Sequence, residues 1–147
     1  MPKSLPQVAT AILLDRNGDL LIYLRDDKLT IAFPNYWDLF GGQVQEGESP
    51  EQALVREIQE ELGIYLEGFH KFRVYECLEG DVRPNVKHVY WAKLDVSAED
   101  LTLREGQRLA GVSLEESKNT RFANILSRVV NDFVQWYATE PSHEKSP

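Results

Sequence analysis

The sequence predicts an α/β fold in which helices cover a mixed β-sheet. Two patterns indicate this fold: strand-like apolar runs alternate with helical patterns, and tight-turn signals between some neighbouring runs indicate antiparallel pairs. The length of 147 residues adds a third, because it is typical of one domain with its own core. We expect a single domain over 1–147, ordered at about 7–138, with flexible tails at 1–6 and 139–147.

The N-terminal part begins with a predicted hairpin. Asn17-Gly18 is a strong tight-turn signal between two apolar runs, and a polar loop at 26–36 separates the second run from a third. The two predicted strands of this part are Val8–Leu14 and Leu20–Arg25, and the third run, Trp37–Phe40, is short and apolar.

A helix is predicted after the pair Gly41-Gly42. Ser49 can cap its N-terminus, Pro50 suits the first helical position, and Gln52 completes a capping box. Gly63 is a stop signal just past the last turn.

The C-terminal part continues with strands and a second helix. A capping pattern at 113–116 precedes apolar residues at helical spacing. The predicted elements are strands at Phe69–Leu78, Lys87–Asp95 and Gln107–Val112, a turn at 80–85, and a helix at Phe122–Tyr137.

Composition excludes several functional classes. The chain has 16 Lys and Arg against 24 Asp and Glu, a net charge of −8, so we expect no nucleic acid polymer as partner. One cysteine cannot form an intrachain disulfide, and no apolar run approaches the roughly 20 residues of a membrane helix. We therefore expect a cytoplasmic protein that does not bind membranes.

The first predicted helix carries an unusual cluster of acidic residues. At 100° per residue, Glu57, Glu60 and Glu61 fall on one face, beside an apolar stripe. Like charges at this spacing repel each other, and the helix dipole disfavours anions in the C-terminal half. A hard divalent cation such as Mg²⁺, coordinated by the three carboxylates, would offset their repulsion and explain the cluster. A solvated acidic face remains the alternative explanation for these three residues alone.

The segment Gly42–Ile64 resembles the Nudix box, G-x5-E-x7-R-E-U-x-E-E-x-G-U with U apolar, at every defined position. The order of predicted strands also looks like the Nudix (MutT-type) fold, so the resemblance extends over nearly the whole chain. It implies a Nudix-type α/β/α sandwich with a mixed β-sheet and the loop-helix-loop motif of the family.

The resemblance implies a reaction and its residues. Family members hydrolyse a nucleoside diphosphate linked to another group, with Mg²⁺ or Mn²⁺. The implied metal-binding positions are the carbonyl of Gly41 and the carboxylates of Glu57, Glu60 and Glu61. The catalytic candidates are Glu57, Glu60, Glu105 and Arg56, and the family varies in which carboxylate is the general base. The residues expected to support the site are Glu48, as ion-pair partner of Arg56, together with Gly42 and Gly63.

Other positions match MutT-type enzymes more weakly. Glu105 lies in a Glu-Gly-Gln stretch where these enzymes carry an additional metal-binding glutamate; a solvated loop carboxylate is the alternative. Arg25 ends a strand where they place a phosphate-contacting arginine, and Asn124 follows an alanine as in the Ala-Asn that reads an oxidised guanine. Phe40 replaces the usual proline before Gly41 and could pack or contact a base. We expect Arg25, Phe40 and Asn124 to bind substrate.

The substrate is less well determined. The sequence favours a small nucleotide, an NTP or damaged dNTP cleaved to a nucleoside monophosphate. ADP-ribose or another nucleotide sugar is the second candidate. A nucleotide-sensing Nudix module without activity is the alternative of another class, and retention of Glu57, Glu60 and Glu61 argues against it. The oligomeric state is expected to be a monomer or a homodimer.

Overall fold

A computed structural model describes residues 4–140 and confirms a mixed α/β architecture. The strands are β1 (Gln7–Leu14), β2 (Leu20–Leu24), β3 (Trp37–Asp38), β4 (Phe40–Gln43), β5 (His70–Cys77), β6 (Asn85–Lys93) and β7 (Arg108–Val112). The helices are α1 (Pro50–Leu62) and α2 (Leu126–Thr139), with short 3₁₀ turns at Ala98–Asp100 and Glu116–Asn119. None of the helices in residues 4–140 is both long and apolar enough to cross a membrane.

All seven strands belong to one sheet. Its main order is β3-β2-β1-β6-β5, with β4 also paired to β1 and β7 also paired to β2. The pair β1–β6 is parallel and the other pairs are antiparallel. The predicted hairpin is confirmed, since Leu14 pairs with Leu20 across the Asn17-Gly18 turn.

The two helices cover opposite faces of this sheet, which gives the three layers of the predicted sandwich. Alternate residues of β1 and β6 contribute to two separate core clusters, as expected for a strand buried on both faces. One cluster contains Leu54 and Ile58 of α1, and the other contains Val129 and Phe133 of α2. A site built on α1 therefore lies on the opposite face from one built beside α2.

Both ends of α1 follow the sequence signals. The Ser49 hydroxyl accepts a hydrogen bond from Gln52 N, and the Gln52 side chain accepts one from Ser49 N. Gly63 adopts a left-handed conformation, with φ of 68°, and its N–H donates to Gln59 O. Local capping thus sets the register of the acidic face.

The predicted second helix begins four residues too early. Phe122 instead forms a parallel bridge with Trp37, and Ala123 N donates to Trp37 O at 2.8 Å. Asn124 then has a positive φ of 55°, which breaks the helix before Leu126. The capping pattern at 113–116 precedes only the 3₁₀ turn at Glu116–Asn119. Pairing with β3 therefore overrides the helical periodicity at residues 122–125.

The predicted tails fall mainly outside the described residues, at 1–3 and 141–147. Within the described part, Pro6 O accepts a hydrogen bond from Val86 N, and Thr139 is the last residue of α2. The ordered elements therefore reach from Gln7 to Thr139.

Candidate functional site

Arg56 connects the acidic helix to the loop that precedes it. Its Nε and Nη2 donate to both carboxylate oxygens of Glu48, at 2.7 and 3.0 Å, and its Nη2 also donates to Gln43 O at 3.1 Å. This hydrogen bonding lowers the pKa of Glu48 to about 2 and raises that of Arg56. A bidentate pair of this kind fixes orientation as well as distance. The ion pair implied by the box is thus present, and it ties β4 and the 44–49 loop to α1.

Glu57 points toward the glycine pair in the middle of β4. Arg56 Nη1 donates to its Oε1 at 2.9 Å, and its side chain is 18% exposed. Burial raises the pKa of Glu57, although the neighbouring Arg56 opposes the shift. A Cβ at Gly42 would lie 2.4 Å from the carboxylate carbon of Glu57. The missing side chain at Gly42 therefore provides the space that this carboxylate occupies.

We expect Gly42→Ala to reduce activity while preserving the fold. The added methyl group would meet only the flexible end of the Glu57 side chain, so the carboxylate must move. A displacement of about 1 Å in a catalytic group can cost about 10²-fold in rate. Steady-state kinetics and thermal unfolding would measure the two effects.

Gly68→Ala is the matched control, because a Cβ there would meet nothing within 4 Å. Equal activity of the Gly42 and Gly68 variants would contradict this assignment of Gly42.

Glu61 is the buried carboxylate of the cluster. It is 3% exposed, and its Oε1 accepts a hydrogen bond from Gly41 N at 2.9 Å. Gly41 has a φ of 137°, and a Cβ there would lie 2.0 Å from Ala9 O on β1. Glycine is therefore required at position 41 for β4 to pair closely with β1 and present its N–H to Glu61.

The segment before β7 brings Glu105 to the same place. Arg104 N donates to the carbonyl of Glu61 at 2.9 Å, and Gln107 N donates to Leu24 O at 2.8 Å. The Glu105 carboxyl lies close enough to that of Glu61 to raise its pKa. Gly106, between them, has a φ of 78° and lies against β2. The structure therefore places Glu105 beside the box carboxylates, although 44 residues separate it from Glu61 in the sequence.

Burial and the neighbouring Glu105 carboxyl raise the pKa of Glu61 from 4.5 to about 10. Between these values the folded state retains a proton that the unfolded state has lost, so the contribution of Glu61 to stability falls as pH rises. We expect the melting temperature of metal-free wild-type protein to fall relative to that of Glu61→Gln between about pH 5 and about pH 9. Thermal unfolding in excess chelator would measure both curves.

Glu67→Gln, at an exposed position, is the control for this pH series and should parallel the wild type. Parallel curves for wild type and Glu61→Gln would contradict the burial of a protonated Glu61.

Glu60 differs from its two neighbours on the helix. Its side chain is 58% exposed, and its contact with Arg56 Nη1 is 3.4 Å long. The three carboxylates share one face of α1, as predicted, but β4 and the segment before β7 cover only part of that face. Glu60 therefore lies at the solvent edge of the cluster.

A cleft of about 310 Å³ begins at the glycine pair and continues along the sheet toward α2. It is bordered by all three residues predicted to bind substrate, Arg25, Phe40 and Asn124, and by Glu105. The structure thus brings together residues that the sequence places in four separate segments. Other residues that line the cleft are Thr10, Tyr23, Asp38, Gly41, Gly42 and Lys87.

Arg25 also holds the 26–36 loop at the edge of this cleft. Its guanidinium donates to Ala32 O at 2.7 Å, to Phe33 O at 3.2 Å and to Asp38 Oδ2 at 2.7 Å. Burial raises the pKa of Asp38, and Arg25 opposes the shift. These contacts give Arg25 a structural role. Phosphate binding, the predicted role, would be a second one.

The assignment of Phe40 to substrate binding needs correction. Phe40 borders the cleft, but it has no exposed surface, and its ring packs 5.2 Å from that of Tyr23 in the core beneath α1. Of the two roles predicted for it, packing is the one that the structure supports. A base could not stack on this ring without opening the core.

Four polar residues of the cleft and its surroundings were not predicted. Asp38 is an acid within a short apolar run, and Tyr23 donates to it at 3.3 Å. Lys87 is the first residue of the predicted strand Lys87–Asp95, and it pairs with Asp81 from the preceding turn. A charged residue within or next to an apolar run was the available signal at positions 38 and 87.

The carboxylates are suited to a hard divalent cation. Glu105 raises the pKa of both Glu57 and Glu61, and Glu57 also raises that of Glu61, so the three carboxyls form a centre of negative charge that a cation would relieve. Carboxylate oxygens are the ligands that Mg²⁺ and Mn²⁺ prefer. In residues 4–140 no three Asp, Glu, His or Cys side chains already surround a common point closely enough to hold a metal ion. The chemistry of the donors therefore fits, while binding would require their side chains to converge.

Comparisons with known proteins agree with this geometry. The NUDIX domain model matches residues 4–133. An 8-oxo-dGTP diphosphatase of Escherichia coli (strain K12) is 39% identical over 70 residues, 48% of this chain and 53% of that protein. A CTP pyrophosphohydrolase of the same strain is 43% identical over 54 residues, 37% of this chain and 38% of that protein. The matches thus span about half or less of these relatives.

A crystal structure of a MutT protein from Methanosarcina mazei Go1 is similar in fold. It superposes with a TM-score of 0.73 over 95% of this chain and 99% of the other, at 22% identity.

Proposed function

This chain belongs to the NUDIX family, and from that premise we propose that it is a divalent-metal-dependent pyrophosphohydrolase of nucleotides. The observation that carries the proposal is that Glu57, Glu61 and Glu105 lie within electrostatic reach of one another beside the Gly41-Gly42 pair, at one end of a cleft. Retention of Glu57, Glu60 and Glu61 favours an enzyme over a module that only binds a nucleotide. The proposed activity therefore rests on side chains of this chain, as well as on its relatives.

We assign Glu57, Glu60, Glu61 and the carbonyl of Gly41 to metal binding, with Mg²⁺ or Mn²⁺ as the ion. When bound, such an ion neutralises phosphate charge and lowers the pKa of a bound water. Arg56 does not need to touch the substrate in this scheme, since it holds Glu57 and the 44–49 loop in place through Glu48. Gly42 leaves room for Glu57, and Gly63 ends α1 beside Arg104.

In the proposed reaction, a water oxygen forms a bond to phosphorus while the phosphoanhydride P–O bond breaks. Glu105 accepts the proton of the water, with Glu57 as the second candidate. For a nucleoside triphosphate the products are a nucleoside monophosphate and pyrophosphate. Glu105 suits the role of base because it belongs to a loop segment, while Glu57 is held by Arg56.

We propose a nucleoside triphosphate, or a damaged deoxynucleoside triphosphate, as the substrate class. The activities of the two E. coli relatives both concern nucleoside triphosphates, although their bases differ. The size of the cleft, about 310 Å³, is at the lower end of the range for small-molecule sites. The cytoplasm, where free nucleotides are found, is the proposed location.

A panel of canonical and oxidised NTPs and dNTPs, ADP-ribose and nucleotide sugars would test this proposal. Pyrophosphate and phosphate release would be measured with Mg²⁺, with Mn²⁺ and in excess chelator. We expect metal-dependent pyrophosphate release from at least one triphosphate. Turnover in chelator, or turnover of nucleotide sugars alone, would contradict the proposal.

A further inference from the structure

A buried ion pair lies at the end of the cleft nearest α2. The side chains of Lys87 and Asp81 are 7% and 4% exposed, and Lys87 Nζ donates to Asp81 Oδ2. Lys87 Nζ also donates to Asn85 Oδ1 at 3.1 Å, and Asn85 Nδ2 donates to Asp81 Oδ2 at 2.7 Å. The other oxygen of Asp81 accepts from Ile125 N at 3.0 Å. These contacts tie the β5–β6 turn to the start of α2.

Stability alone does not explain this pair. A buried ion pair is often no more stabilising than well-packed apolar residues of similar volume, because both charges lose their hydration. Lys87 lies on the same face of β6 as Val89 and Trp91, which belong to the apolar cluster beneath α2. An apolar residue at position 87 would continue that pattern. The lysine therefore points to a polar ligand in the cleft that it lines.

The polar groups of this region that remain available to a ligand are mainly hydrogen-bond donors. Lys87 has three N–H groups and uses two on Asp81 and Asn85, and within residues 4–140 the third has no partner. Asn124 Oδ1 accepts from Val82 N at 3.3 Å, while its amide NH₂ has no partner among the same residues. Both oxygens of Asp81 are occupied. A ligand at this end would thus meet donors from Lys87 and Asn124.

The placement of the two ends indicates which part of a nucleotide would reach these donors. Glu105 and the glycine pair, which lie beside the other carboxylates, border the same cleft as Lys87 and Asn124, which line it toward α2. Phosphates at the carboxylates would direct the base toward α2. The edge of the base remote from the sugar would then face Lys87.

We propose that Lys87, held by Asp81, selects nucleobases that carry a carbonyl oxygen at that edge, such as guanine, uracil or thymine. Adenine and cytosine present an amino group there, whose hydrogens would oppose the donors of Lys87 and Asn124. This inference rests on the proposed function and names the base class that the same cleft takes. Lys87 is a specificity residue in this scheme and takes no part in bond breaking.

Wild-type kinetics give the first test, with matched pairs of substrates that differ at that position. We expect kcat/KM to be at least about tenfold higher for UTP than for CTP, and for GTP than for ATP, which is typical of a hydrogen bond to a charged group. Equal values within either pair would overturn the proposal.

Lys87→Met tests the residue, because it removes the charged donor at similar length. We expect the two preferences to fall to about threefold or less. Lys93→Met is the control on the same strand, since Lys93 is exposed and outside the cleft. Because Lys87→Met leaves Asp81 buried without its cation, the double variant Lys87→Met with Asp81→Asn serves if the single one does not fold. A folded variant that retains both preferences would overturn the role of Lys87.

Binding of nucleoside monophosphates separates this inference from the proposed activity. Calorimetric titration of wild-type protein with GMP, AMP, UMP and CMP needs no turnover. Tighter binding of GMP and UMP without any hydrolysis would support the inference and contradict the activity. Hydrolysis of triphosphates without a base preference, in the kinetics and in the monophosphate titrations, would support the activity and contradict the inference.

Discussion

Glu57→Gln is expected to lower kcat/KM by about 10²-fold or more, the loss expected when a ligand of a catalytic cation is neutralised. The substitution keeps the shape of the side chain, so the space left by Gly42 remains filled. The fold should be retained, because Arg56 keeps its bidentate contact with Glu48. Steady-state kinetics over a range of Mg²⁺ concentrations, with thermal unfolding in parallel, would measure both effects.

Metal dependence distinguishes this result from a general loss of activity. The variant should need more Mg²⁺ for half-maximal rate than the wild type, because one charged oxygen ligand has been replaced by a neutral amide. Glu67→Gln, at an exposed site beyond the helix, should match the wild type. Activity of Glu57→Gln within about threefold of the wild type, far short of a lost metal ligand, would refute the assignment.

Glu105→Gln is expected to lower kcat by about 10²–10⁴-fold with little change in KM, which is typical of a general base. The carboxyl lies beside Glu61, and the segment that carries it is anchored by Arg104 N on one side and Gln107 N on the other. These anchors are backbone hydrogen bonds, which the substitution leaves in place. Kinetics at saturating metal, with single-turnover measurements, would isolate the chemical step.

Glu99→Gln provides the control for that experiment, since Glu99 is exposed in the same connection between β6 and β7. A loss in Glu105→Gln of less than about threefold would leave the box carboxylates as the only candidates for the base. Glu57→Gln and Glu105→Gln also separate the roles of metal ligand and general base, since only Glu57→Gln should change the metal requirement strongly.

The elements best predicted from the sequence are those whose signals are local. The capping box at Ser49–Gln52 and the left-handed Gly63 define α1 within one residue, because their partners lie within four residues along the chain. The helical periodicity at Phe122–Tyr137 predicted the start of the second helix wrongly, because that start depends on a contact between distant residues. Phe122 bridges to Trp37, a residue distant in sequence, and no local pattern contains that contact.

The features of the site also divide into those determined by local sequence and those determined by contacts between distant segments. The sequence alone determined that Glu57, Glu60 and Glu61 share one face of a helix, because backbone geometry repeats every 3.6 residues. Only the tertiary structure decided that Glu61 is buried while Glu60 is mostly exposed, since this depends on the coverage of α1 by β4 and the segment before β7. It also decided that Glu105 joins them and that Lys87 meets Asp81. Burial and charge pairing arise between distant segments, so they depend on packing that a one-dimensional pattern does not encode.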